Sequence, residues 1–98
     1  MAKFFPRRLL YRLRNEIPVA PLVTQLQWPH KQRDGRFCFL CPRCSEFLTA
    51  VNPRTNLARC FHCETNFNPI DLVMWIKSCD FVAAIHFLEP QLPTKTAG

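Results

Sequence analysis

The apolar positions change period several times along this chain, and each change marks an element. In residues 1–15, Leu9, Leu10 and Leu13 recur at helical spacing among arginines. That pattern fits a basic amphipathic helix and fits a frayed tail nearly as well. Residues 17–26 open Ile17-Pro18-Val19-Ala20-Pro21 and stay apolar. A proline is tolerated in the first turn of a helix, where its missing N–H costs nothing, so a short helix is predicted over 18–26. The period then shortens. Asp34-Gly35 is a two-residue hairpin signal, and Arg36-Phe37-Cys38-Phe39-Leu40 reads as the strand leaving it. Pro29 marks the strand before the turn as an edge. In the next stretch Phe47, Thr49 and Val51 alternate with Leu48 and Ala50. Asn52-Pro53-Arg54-Thr55-Asn56 has turn chemistry, and Leu57-Ala58-Arg59 returns toward Cys60, which completes a second hairpin.

The helical period comes back after Cys63. Asn68 suits a cap, Pro69 the first helical position, and Asp71 the positive end of the dipole. Ile70, Val73, Met74 and Lys77 share one side, with Leu72, Trp75 and Ile76 widening the apolar face. A last helix is predicted from Phe81 to Leu88, capped by Asp80 or Ser78 and stopped by Pro90. Phe81, Ile85 and Leu88 share a face there. These elements predict an α+β fold, a small ribbon on an antiparallel sheet flanked by short helices. It would occupy residues 16–89, between a basic segment over 1–15 and a flexible tail over 90–98.

A chain of 98 residues holds one domain and is marginal without help, which a structural metal often supplies. Cys41-Pro-Arg-Cys44 and Cys60-Phe-His-Cys63 each leave two residues between their sulfurs, and 15 residues separate the pairs. Two such turns can aim four thiolates at the corners of a tetrahedron, the arrangement of structural zinc. Iron in a rubredoxin-like site is the main rival. With four thiols engaged, no position remains for a reactive water, so the site is expected to be structural. Cys38 complicates the assignment, because Cys38-Phe-Leu-Cys41 has the same gap and Cys38 could replace a ligand. It reads better as a side chain of the incoming strand. Cys79 reads as a small core residue, and the His62 ring is expected to point outward from its knuckle.

A disulfide framework would need an oxidising compartment. The N-terminal residues show no long apolar run followed by a small-residue cleavage site, and no stretch approaches the length of a membrane span. A cytoplasmic protein is expected, with no membrane partner. The net charge of +6 is unevenly spread: residues 1–59 carry +8 and residues 60–98 carry −2. Such asymmetry fits either a polyanion partner or a merely solvated basic surface. Lys31, Arg33 and Arg36 flank the first turn, Arg43 lies on the first knuckle, Arg54 on the central turn, and Arg59 enters the second knuckle. Phe37, Phe39, Phe47 and Phe61 lie among them. Cations with aromatic rings can grip phosphates and stack the bases of a single strand. Phe37 and Phe39 are assigned to the core, while Phe47 and Phe61 stay open between the two roles. No catalytic triad, carboxylate pair or glycine-rich phosphate loop stands out. A binding module is therefore expected rather than an enzyme, without a small-molecule substrate. Two other classes stay in view. One is an adaptor that docks a protein through the helix around Met74 and Trp75, and the other is a rubredoxin-like electron carrier.

Several motifs follow one another in order: Phe39-Leu40-Cys41-Pro42-Arg43-Cys44, Val51-Asn52-Pro53, Ala58-Arg59-Cys60-Phe61-His62-Cys63, Ile70-Asp71-Leu72-Val73-Met74, and the segment Asp80 to Leu88. This series resembles the N-terminal zinc-binding domain of DnaG-type bacterial primases over about residues 16–89. The resemblance implies a zinc ribbon with Cys41, Cys44, Cys60 and Cys63 as ligands. It further implies binding to template DNA, single-stranded, beside a primase, helicase or other replication protein. Cys44 stands where the primases usually have histidine. The stretch Ser45-Glu46-Phe47-Leu48-Thr49 is shorter than the family's and lacks its Lys-Thr-Pro-Ser-Phe run. The chain ends where a primase would continue into its polymerase domain, so primer synthesis by this chain alone is not expected.

Overall fold

Two helices, five strands and two further helices follow in the order α1 (Arg7–Asn15), α2 (Val19–Gln25), β1 (His30–Arg33), β2 (Arg36–Phe39), β3 (Thr49–Asn52), β4 (Leu57–Cys60), β5 (Thr65–Phe67), α3 (Pro69–Lys77) and α4 (Phe81–Leu88). This is the arrangement in a computed structural model that describes residues 5–92. A turn of 3₁₀-helix, Glu89–Gln91, follows α4. Of the tail expected over 90–98, residues 93–98 lie outside the described residues, as do residues 1–4 of the basic segment. The five strands form one antiparallel sheet in sequence order, so the fold is α+β. Among the described residues, no helix is long and apolar enough to cross a membrane.

Local chemistry explains most boundaries. Asp34 and Gly35 both take positive φ, 51° and 75°, the conformation that a two-residue hairpin needs to match strand twist. Asn68 caps α3 reciprocally: its side chain accepts from Asp71 N–H, and the Asp71 carboxylate accepts from Asn68 N–H. Pro69 takes the first position of α3. Ser78 ends the helix in the left-handed conformation, φ 52°. Of the two cap candidates for α4, Asp80 is the one used, accepting from Ala83 N–H at 2.8 Å. The basic N-terminal segment is helical over Arg7–Asn15, because Leu13 is buried in the core.

Two apolar clusters share α2 and α3 as a middle layer. Leu22, Ile70 and Val73 join Leu13, Ile17, Ala84, Ile85 and Leu88 on the helical side. Val19, Val23 and Leu72 meet Phe39, Ala58, Cys60 and Phe67 on the sheet side. Trp75, expected to widen the apolar face of α3, is instead 48% exposed, since residues 70, 72 and 73 already fill both clusters. Cys79 is half-buried against the helical cluster, as a small core residue would be.

Asn56 ties these layers to the second hairpin. Its side-chain oxygen accepts from Val19 N–H at 3.1 Å, and its amide donates to the carbonyls of Arg14 and Ile17 at 2.8 and 2.7 Å. One turn residue thereby serves three backbone groups at the α1–α2 corner. Its φ of 56° is one that asparagine tolerates better than most residues.

Candidate metal centre and the open sheet face

The two cysteine knuckles sit at one end of the sheet. The first follows β2, and the second begins with the last residue of β4. They are built alike. Arg43 and Cys44 N–H groups point at Cys41 Sγ, each at 3.4 Å, and Cys63 N–H points at Cys60 Sγ at 3.5 Å. Each knuckle is followed by a residue with positive φ, Ser45 at 65° and Glu64 at 55°, which turns the chain back. Such N–H groups stabilise negative charge on sulfur.

The four sulfurs of Cys41, Cys44, Cys60 and Cys63 lie within 4.8 Å of one another. Cys41 and Cys63 are 3.7 Å apart, and Cys44 and Cys60 are 3.5 Å apart. A tetrahedron of sulfurs about 2.3 Å from a central zinc has edges of about 3.8 Å. The donor set and its spacing therefore fit a tetrahedral metal ion. Cys38 is not one of the four. It pairs across the strands with Lys31 and Ala50, and the alternation along β2 turns it to the face opposite Phe39, away from the cluster.

The thiols differ in acidity. Burial pushes Cys44 up to about 12; a backbone hydrogen bond from Glu46 opposes this, and the neighbouring sulfurs add to it. Burial acts on Cys60 in the same sense. There the backbone groups of Cys63 and His62, with the Cys44 and Cys63 sulfurs, outweigh it and hold the thiol at about 6. Cys63 is also lowered, chiefly by the Thr65 hydroxyl. Arg43 donates to that hydroxyl at 2.7 Å, and Thr65 Oγ1 is 3.4 Å from Cys63 Sγ. A guanidinium thus reaches a candidate ligand through one intervening hydroxyl, the kind of outer contact that orients and polarises metal ligands. His62 is exposed, as expected for a ring pointing out of its knuckle.

The sheet register assigns every other side chain. Lys31, Cys38, Ala50, Arg59 and Asn66 stand opposite one another across all five strands and so share a face. Arg33 and Arg36 pair with each other and extend that face toward the first turn. Phe39, Ala58, Cys60 and Phe67 point the other way, onto α2 and α3. Of the six basic residues singled out above, Lys31, Arg33, Arg36 and Arg59 are brought together on the open face. Arg43 is at the knuckle, and Arg54 is exposed on the turn between β3 and β4. The Lys31 ammonium lies 4.5 Å from the centre of the Phe47 ring. Phe61 is 59% exposed and lines the hollows of the open face, with Arg33 and Arg36 in one and Arg59 in the other. Phe39 is core as expected. Phe37 is only half-buried, stacked on His30 with ring centres 5.1 Å apart.

Sequence reasoning missed the Thr65 contact with Cys63. A threonine two residues after a knuckle cysteine was the available signal. No protein-family model matches the chain, and no curated protein matches it.

Proposed function

We propose that this chain is a zinc-clamped module that binds single-stranded DNA on the open face of its sheet, without catalysis of its own. The observation that carries the reading is the cross-strand register, which gathers Lys31, Arg33, Arg36 and Arg59 on one face beside the exposed ring of Phe61. Cations that track a backbone, interleaved with rings that stack bases, are the chemistry of sequence-tolerant single-strand binding. Four thiolates in a closed tetrahedron suit zinc and leave it a structural part. The motif order that resembles the zinc domain of DnaG-type primases supports a role in replication or priming, beside a separate primase, helicase or related protein. A reducing compartment such as the cytoplasm would keep the thiols available to metal.

The test is the anisotropy of a labelled single-stranded oligonucleotide titrated with metal-loaded protein at low salt. Binding is expected to fall steeply with salt and to be lost when Arg36→Glu and Arg59→Glu are combined. Absence of binding at low salt, or binding indifferent to salt, would overturn the proposal. A second reading, a protein-docking adaptor, is favoured by one feature. Trp75 is half exposed beside a notch of about 350 Å³ that it lines with Met74, Ser78 and Cys79. An adaptor would keep its protein partner after both charge reversals.

A further inference from the structure

The two hairpins of the sheet diverge. β1–β2 and β3–β4 each run for four residue pairs, but β2 and β3 meet only at Cys38 with Ala50 and Phe39 with Thr49. The tips are left splayed around a cleft of about 750 Å³, which Ala20 of α2 also lines. That size is within the roughly 300–1,000 Å³ typical of small-ligand sites.

The hydrogen bonding shows which peptide groups face the cleft. Leu40 N–H donates to Pro29, so alternate residues 36, 38 and 40 turn their peptide groups to β1, and Phe37 turns its own toward β3. Phe61 N–H donates to Leu48 and Asn56 N–H to Asn52. Residues 48, 50 and 52 therefore serve β4, and Val51 faces β2. A ladder continued by one step would join Phe37 to Val51. The observed register stops at Cys38 with Ala50, a pair held by Val51 N–H donating to the Phe37 carbonyl, so the Phe37 N–H and the Val51 C=O are the groups left open toward the cleft. Both residues are half-buried. Arg36, Arg59 and the exposed ring of Phe61 also line it.

We propose that this cleft holds one unpaired base of a bound strand, its edge read by the Phe37 N–H donor and the Val51 C=O acceptor while Arg36 and Arg59 hold the adjoining phosphates. The inference rests on the single-strand reading above and adds a base pocket to it. A flat ring with donors and acceptors on its edge fits a slot with apolar walls and free peptide groups. An extended peptide would also satisfy those groups, but it would bring no phosphates to the two arginines.

The test is a ¹⁵N NMR titration of the metal-loaded protein with a short oligothymidylate and with the same strand made abasic throughout. Both strands are expected to bind through phosphates, the abasic one about ten-fold more weakly. Only the base-bearing strand should shift the Phe37 amide. Ala20→Phe, which narrows the cleft away from the cations, should bring the two affinities together. Equal affinity for the two strands, or a Phe37 amide unmoved by the base-bearing strand, overturns the base pocket and leaves phosphate binding intact. If neither strand binds, the single-strand reading falls and the pocket with it. Should Ala20→Phe not fold, the comparison of strands on the native protein still decides.

Discussion

If the open face binds a single strand as proposed, the salt dependence counts the cations that meet it, and the register supplies a definite number. Each phosphate neutralised on a single strand contributes about −0.7 to the slope of log affinity against log salt. Lys31, Arg33, Arg36 and Arg59 together therefore predict a slope of about −2.8, which is about a 50-fold loss between 50 and 200 mM salt. Had Arg43 and Arg54 contributed equally, six contacts would give about −4.2 and roughly a 300-fold loss. The geometry separates the two cases. Arg43 lies at the knuckle and donates to Thr65, which stands with Cys60 on the opposite face, and Arg54 stands on the turn beyond the strands. The assay is anisotropy of a labelled oligonucleotide of about 4–16 nucleotides, the span of a comparable site, titrated at several salt concentrations. Arg36→Ala is expected to reduce the slope to about −2.1 while Arg54→Ala leaves it near −2.8. A native slope near −4, or equal effects of the two substitutions, would refute the assignment of the face.

Other outcomes follow from single residues. Asn56→Ala removes three hydrogen bonds to the α1–α2 corner and leaves alanine at positive φ, so it should cost about 2–4 kcal/mol in denaturant unfolding; a cost below about 1 kcal/mol would contradict the role given to it. Thr49 is fully buried, and its hydroxyl is the buried side-chain oxygen left without a partner among the described residues. Thr49→Val should therefore raise stability by about 1 kcal/mol, and a loss of that size would show that the hydroxyl has a partner after all. Elemental analysis should find one bound metal ion after Cys38→Ser or Cys79→Ser and little after Cys44→Ser or Cys60→Ser. Chelation of the native protein should abolish its cooperative thermal transition, and an unchanged transition would remove the metal from the folding argument.

Features written in local chemistry were legible in the sequence. The Asp34-Gly35 turn, the Asn68-Pro69-Asp71 start of α3 and the Asp80 cap depend on neighbours within a few residues, and the structure uses each of them. The four-cysteine set was legible for the same reason, since each knuckle closes on itself. What was not legible depends on distant partners. β5 is three residues long, too short for alternation to show, and it exists because Cys60 and Thr65 can fold back on each other. Asn56 looks like an ordinary turn residue, and its partners Ile17 and Arg14 are 39 and 42 positions away. The six cations read as one cluster because charge carries no register. The turn chemistry already set Arg54 apart, but only the strand pairing puts Arg59 on one face with Lys31, Arg33 and Arg36. The ambiguity at 1–15 had the same origin, since Leu13 becomes a helix residue by meeting the core formed by α3 and α4.

The candidate metal centre and the cationic face are adjacent in sequence, and this would give a bound metal a role beyond stability. Cys60 and Arg59 are neighbours on β4 and therefore point to opposite faces. A slip of one residue would carry Arg59 into the core and Cys60 to solvent. A metal bound to Cys60 forbids that slip, because its sulfur must reach Cys44 and Cys63. The first hairpin is held in the same way. Lys31, Arg33 and Arg36 belong to it, while Arg59 belongs to the second, and two residue pairs join the hairpins directly. Those pairs lie at the metal end, where Cys41 and Cys44 from the first hairpin meet Cys60 and Cys63 from the second. The splay that opens the cleft and the clamp that sets its angle are thus opposite ends of one arrangement. Without a bound metal, each hairpin would keep its own turn and its own charges, but nothing would fix the distance from Arg36 to Arg59 that the proposed strand would span.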